Sequence, residues 1–141
     1  MENHMKKIFI DGSKGTTGLQ IFERLAQRND IEIISLPEEL RKSPDARKAA
    51  LNQSDIAFLC LPDAESIESV KMVENSRTVI IDASTAHRTN DDWVYGFAEL
   101  PNQEEKIRNA TRIANPGCHA SGFVALVAPL VRSGIISADT V

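Results

Sequence analysis

The sequence has no apolar run approaching the ~20 residues a membrane-spanning helix requires, so no membrane partner is expected. It has no basic excess: 16 lysines and arginines stand against 20 aspartates and glutamates, a formal net charge of −4. Charges of both signs are interspersed, which leaves no electrostatic footprint for nucleic acid. Cysteine is scarce. Cys60 and Cys118 suit a reducing, cytoplasmic setting and can pair only if the fold brings them together. There is no internal repeat and no low-complexity segment, Met1 to Lys7 carry no secretory signal pattern, and no metal site is expected. What remains is a chain of 141 residues, one domain by length and long enough to bury a core.

The residues present alternate between two periodicities. Lys7 to Asp11 is a short apolar run that reads as a buried strand. It ends in Gly12-Ser13-Lys14-Gly15-Thr16-Thr17-Gly18, and a helix follows with Leu19, Phe22, Leu25 and Ala26 on one face. Strand, glycine turn and helix in that order is the setting of dinucleotide-binding loops. Here the spacing is G-x-x-G-x-x-G. Gly12 permits the tight turn, Gly15 lets backbone N–H groups approach a pyrophosphate, and Gly18 lets the helix pack on the sheet. A plain strand–helix turn is the alternative. Ile31 to Leu36 reads as the second strand, whose end normally carries an acid for the ribose 2′-hydroxyl of NAD. Ser35, Leu36 and Pro37 stand there instead. Glu38 and Glu39 come late, followed by Arg41 and Lys42. A hydroxyl and cations without a well-placed acid favour a 2′-phosphate, hence NADP(H); Arg41 and Lys42 as a solvated pair remain the other reading.

Ser43-Pro44-Asp45 starts a short helix through Gln53, with Ser43 as N-cap and Pro44 at the first helical position. Ile56 to Leu61 is continuously apolar and reads as a central strand buried on both faces, with Cys60 structural inside it. Pro62 falls at the C-terminal end of that strand, on the edge where open α/β sheets bind ligands, and joins the cofactor candidates. A helix from about Ala64 to Glu74 is expected to turn Ile67, Val70 and Val73 inward, and Thr78 to Ile81 is the next strand. In the loop Asp82 to Arg88, hydroxyls and a guanidinium suit an anion, which makes Ser84 and Arg88 candidate substrate contacts. A capped loop with Arg88 in a surface ion pair is the alternative, and His87 reads as a surface or structural residue. Trp93 to Leu100 holds most of the aromatics and is expected to form a lid or layer over the sheet edge. Pro101 opens a polar helix through about Asn109. The order β-α-β-α-β-α-β-(loop)-α-β-α implies an α/β fold, a doubly wound, Rossmann-type, mostly parallel sheet with helices on both faces.

The chemistry concentrates in Asn115-Pro116-Gly117-Cys118-His119-Ala120-Ser121-Gly122. Thr111 to Ala114 is a short strand, Asn115 to Gly117 break into a turn, and from Ala120 the residues Phe123, Val124, Val127, Leu130 and Val131 recur at helical spacing until Gly134. Cys118 therefore sits at or just before a helix N-terminus, where unpaired N–H groups and the helix dipole favour negative charge. A thiol so placed ionises more easily, and the thiolate is the nucleophile. A buried, inert cysteine is the alternative.

Together, Gly12 to Gly18, Ile81-Asp82-Ala83-Ser84, Tyr95-Gly96-Phe97-Ala98-Glu99-Leu100 and Asn115-Pro116-Gly117-Cys118 resemble the N-acetyl-γ-glutamyl-phosphate reductase family, its shorter variety in particular. The resemblance covers Lys6 to Val141. It implies a shared superfamily with aspartate-semialdehyde dehydrogenase, Cys118 as catalytic nucleophile, and NADP(H) on Gly12, Gly15, Gly18 and the residues between. It also implies an NADPH-dependent reduction of an acyl phosphate to an aldehyde through a cysteine thioester, releasing inorganic phosphate, a step of arginine biosynthesis. Asn115 joins Ser84 and Arg88 as a substrate candidate. Members of that family run to twice this length or more, with a second domain that supplies a histidine and most of a homo-oligomer interface. None of His4, His87 and His119 matches that histidine. Residues 1–134 are accordingly expected to be the cofactor domain with the cysteine helix, and 135–141 the start of a second domain otherwise missing, so the isolated chain is expected to be inactive. An aspartate-semialdehyde dehydrogenase-like enzyme and a non-catalytic nucleotide-binding domain are the rival readings.

Overall fold

The computed structural model describes residues 5–140; His4 and Val141, both named above, lie outside the described residues. Six parallel strands form one sheet in the order β2-β1-β3-β4-β6-β5. They are β1 (Lys6–Asp11), β2 (Ile31–Ile34), β3 (Ile56–Leu59), β4 (Val79–Asp82), β5 (Val94–Tyr95) and β6 (Arg112–Ala114). The helices are α1 (Thr16–Leu25), α2 (Pro44–Gln53), α3 (Asp63–Lys71), α4 (Gln103–Asn109) and α5 (Cys118–Arg132). The alternation read from the sequence is thus present. The expected lid is not: Val94 and Tyr95 pair in parallel with Ile113 and Ala114 as an edge strand. β-Branched and aromatic residues fit a pleated edge better than a loop.

Local chemistry sets the element ends. Ser43 accepts from the Ala46 N–H and Pro44 begins α2, as expected for a capped start. Gly134 adopts φ +72° just beyond α5, the left-handed position that stops a helix. α5 begins two residues earlier than the apolar spacing alone indicates, with Gly117 as N-cap and Cys118 as the first helical residue.

One core cluster lies on one face of the sheet, where Phe9, Ala57, Leu59 and Ile80 pack with Ala50 and Leu51 of α2, while Val70, Met72 and Val73 close it; Ile8, Ile10 and Ile113 are buried on the other face. β3 is not buried on both faces, and it ends before Cys60. Ala57 and Leu59 are closed off, but Ile56 and Phe58 remain half-buried, because the helices of the opposite face cover it less completely. α5 buries none of its residues, and Phe123 and Leu126 on it are exposed.

The strand register explains a further departure. Asp11 pairs with Leu59, and Leu59 with Asp82, so the two carboxylates stand in one row on the core face, on either side of a buried leucine. α3 packs over that row. It therefore turns Ser66 and Ser69 inward, both fully buried, and leaves the expected Ile67 exposed. Ser66 Oγ donates to Asp82 Oδ1 at 2.9 Å and Ser69 Oγ to Asp11 Oδ2 at 3.1 Å. A buried carboxylate needs such donors more than α3 needs another apolar contact.

Candidate active site

Because every strand is parallel, all the strand C-termini open onto one edge. The chain reverses direction of winding at β1, which has β2 on one side and β3 on the other, and that is where open α/β sheets place their ligands. A cleft of about 880 Å³ lies there, lined by Gly12, Ser13, Lys14 and Gly15, by Ser35 and Leu36 at the end of β2, and by Arg41, Lys42, Arg47 and Leu61. Leu19 and Phe22 of α1 also line it, which is why Leu19 stays exposed instead of entering the core.

The glycines are demanded by space and by backbone shape. Gly12 has φ +86°, and a Cβ there would stand 2.3 Å from the Cys60 carbonyl oxygen. A Cβ on Gly18 would stand 2.3 Å from the Gly12 carbonyl oxygen, so α1 packs directly on its own loop. Gly15 is different. Its φ is −72° and, among the described residues, a Cβ would meet only the Gly12 oxygen, at 3.4 Å, which is ordinary contact and does not forbid a side chain there. Thr16 and Thr17 form the first turn of α1 and are exposed, and Pro62 caps α3 beside the cleft-lining Leu61.

Beneath the loop, Arg47 Nη2 donates to Asp11 Oδ2 at 2.9 Å and to the Ser69 hydroxyl. Arg47 was not evident from sequence, since it stands in an ordinary polar helix; the available signal was an aspartate ending each of two apolar strands. Asp82, the second of these, accepts from the Ser84 N–H and hydroxyl and lies 2.6 Å from His87 Nδ1. His87 stacks on Trp93 with ring centroids 4.0 Å apart. It is a buried structural histidine, and the Ser84 hydroxyl is engaged with Asp82. Cys60, half-buried beside these carboxylates, has its thiol pushed up to about 11, first by burial and then by Asp11 and Asp82. That is an inert thiol, and neither cysteine is paired.

The second group of candidates meets beyond β4 and β6. Cys118 is exposed at the head of α5, with Sγ 3.7 Å from His119 Nδ1. The Asn115 N–H donates to the Asp82 carbonyl at 2.8 Å, and its side-chain amide donates to the Pro116 carbonyl. Among the described residues Arg88 forms no surface ion pair. Its Nε donates to the Asn115 carbonyl and its Nη2 to the Ala83 carbonyl, both at 3.1 Å. The cleft opens at β1 and the cysteine follows β6, three strand spacings or roughly 14 Å apart across the sheet. The site is thus a glycine-lined cleft and an exposed thiol on one edge, with a guanidinium beside the thiol's turn.

Residues 37–110 match the model of the semialdehyde dehydrogenase NAD-binding domain. The chain belongs to that family. Within it, the chain is 54% identical over 131 residues to an N-acetyl-gamma-glutamyl-phosphate reductase of Trichormus variabilis, covering 92% of this chain and 41% of that protein. It is 55% identical over 134 residues to the protein of the same name from Mesorhizobium japonicum, covering 94% and 44%. The chain thus spans less than half the length of these curated relatives. Among solved structures, aspartate semialdehyde dehydrogenase II of Vibrio cholerae, complexed with ASA, superposes with a TM-score of 0.65 at 17% identity, covering 92% of this chain and 47% of that one; at that identity the likeness is one of fold. A semialdehyde dehydrogenase NAD-binding domain takes a nicotinamide dinucleotide as its cofactor. Among the described residues no helix is long and apolar enough to cross a membrane.

Proposed function

We propose that this chain is the cofactor-binding, nucleophile-bearing part of an N-acetyl-γ-glutamyl-phosphate reductase. The enzyme reduces N-acetyl-γ-glutamyl phosphate to N-acetylglutamate semialdehyde and inorganic phosphate with NADPH, in arginine biosynthesis. The observation that carries this reading is an exposed cysteine at the first position of α5 on the same sheet edge as the glycine-lined cleft. Residues 1–134 form the cofactor unit, and 135–141 lead into a second unit that brings the acid/base histidine and the contacts of a homo-oligomer. The enzyme is cytoplasmic.

The cleft suits a dinucleotide by the chemistry of its donors. The loop Gly12 to Gly15 offers backbone N–H groups and Lys14 to phosphates, and the end of β2 offers Ser35 with Arg41 and Lys42 nearby. With Ser35 where an acid would hold a free ribose hydroxyl, NADP(H) is the better fit. Arg41 is shared with Glu38, 3.6 Å away. Bound there, the reduced cofactor supplies hydride.

The chain's own residues do the rest. The Cys118 thiolate attacks the acyl carbon of the substrate, the C–O bond to the phosphoryl group breaks, and inorganic phosphate leaves. The thioester so formed is reduced by two electrons, and the resulting thiohemiacetal releases aldehyde and regenerates the thiolate. N–H groups at the head of α5 stabilise the oxyanion of each tetrahedral species. Arg88 and Asn115 stand at the cysteine's turn, with Arg88 supplying positive charge to the departing phosphate, while Ser84 is buried with its hydroxyl on Asp82 and acts behind them. The test uses the intact protein that carries this chain. Cys118→Ser should abolish turnover of N-acetyl-γ-glutamyl phosphate while NADPH binding persists. Substantial residual reductase activity, or faster turnover of aspartyl phosphate, would sink the assignment.

A further inference from the structure

Gly117, immediately before Cys118, has φ −79° and ψ 153°, a conformation any residue adopts, so its backbone does not require glycine. Space does. A Cβ at this position would stand 2.5 Å from Arg88 Nη1 and 3.1 Å from its Cζ, inside the contact distance of real side chains. The guanidinium is in turn held in place, since Nε and Nη2 are committed to the carbonyls of Asn115 and Ala83. These carbonyls open two different loops, one immediately after β6 and one immediately after β4. The Asn115 peptide is gripped from both sides, its N–H by the Asp82 carbonyl and its own carbonyl by Arg88. On the far side of the turn, the Gly117 carbonyl accepts both the N–H and the hydroxyl of Ser121, at 2.9 and 2.8 Å, which joins the turn to α5.

We infer that Arg88 is a positioning residue that sets the place of Cys118, and that Gly117 is glycine in order to admit it. The inference rests on the reading of Cys118 as nucleophile, and it adds to Arg88 a role independent of any charge it offers to substrate. A planar guanidinium can reach two carbonyls at a fixed separation; a lysine ammonium keeps the charge but lacks the fork. A nucleophile displaced by about an ångström can lose on the order of 100-fold in rate.

The experiment is a double-mutant cycle in the intact protein. Arg88→Lys, Arg88→Ala and Gly117→Ala are each expected to lower kcat by about tenfold or more, with KM for NADPH within about twofold of wild type. Combining Arg88→Ala with Gly117→Ala should lower kcat no more than about twofold beyond the larger single loss, because both break one contact. Iodoacetamide labelling of Cys118 without substrate should be altered in Arg88→Lys as well as in Arg88→Ala. Losses that multiply in the double variant overturn the inference. So does an Arg88→Lys protein with wild-type turnover and labelling, for charge alone would then suffice. Thermal unfolding supplies a readout free of catalysis: Gly117→Ala should lower the midpoint in the wild-type background and not in Arg88→Ala. An equal fall in both backgrounds overturns the clamp. Persistence of turnover in Cys118→Ser would instead overturn the nucleophile reading, whatever the cycle gives.

Discussion

Arg47 Nη2 lies 2.9 Å from Asp11 Oδ2, with the two side chains only 15% and 6% exposed. The last residue of β1 and the wall of the cleft are thereby joined by an ion pair nearly closed to water, directly beneath the glycine loop. Removing one member leaves the other charge buried and uncompensated. Arg47→Met should therefore destabilise the chain by about 3–5 kcal/mol, measured by urea unfolding. The paired change Arg47→Met with Asp11→Leu should cost clearly less than Arg47→Met alone. An equal or larger loss in the pair would show that the charges act separately.

The glycines of the loop separate conformational need from ligand need. Gly12→Ala must distort a positive φ and push against the Cys60 carbonyl, so a loss of about 2 kcal/mol or more is expected. Gly15→Ala meets no close atom, and its unfolding free energy should stay within about 0.5 kcal/mol of wild type. The same substitution should weaken NADPH binding about tenfold, because the added methyl stands where backbone N–H groups approach a pyrophosphate. Fluorescence titration with NADPH checks this; unchanged affinity would place the phosphates elsewhere.

The two thiols should differ sharply towards alkylation. With Cys60 pushed up to about 11, its thiolate fraction at pH 8 is on the order of one part in a thousand, and the group is half-buried as well. Cys118 is exposed. Limited iodoacetamide treatment of the folded chain, resolved by peptide mass, should label Cys118 at least about tenfold faster than Cys60. Comparable labelling would contradict the buried setting of Cys60.

Asp63 accepts from the Thr85 hydroxyl and from the Thr85 N–H, and the hydroxyl bond first, then the N–H bond, holds its carboxyl below the usual carboxylate range. A folded-state value depressed in this way gives a contact that is present above the unfolded value of about 3.9 and lost as pH falls through the lower folded value. Thr85→Val should bring the Asp63 titration back up towards the ordinary range, as read by side-chain carboxyl NMR. An unmoved midpoint would show that the hydroxyl is not the cause.

Much of the fold was legible in the chain because it is written in local chemistry. Ser43-Pro44 capped α2 where expected, Gly134 ended α5, and three short apolar runs became β1, β3 and β4. Ile67 and the lid were misread for a common reason. Periodicity reports which residues are apolar, not what the neighbouring element presents to them. Two aspartates on the core face drew serines inward from α3, and an open sheet edge took up Val94 and Tyr95.

For the candidate site the division is similar. The sequence by itself determined the glycine loop after the first strand and a cysteine at a helix start, since strand, turn and helix are set by residues a few positions apart. Only the tertiary structure decided that Arg47 supports that loop, that the Ser66 hydroxyl of α3 donates to Asp82, and that Arg88 lies against Gly117. These pairings join residues separated by up to dozens of positions, and they depend on which strands become neighbours and in what register. Parallel strands require long crossovers, so no local pattern announces them. The order β2-β1-β3-β4-β6-β5 placed the cleft and the thiol on one edge.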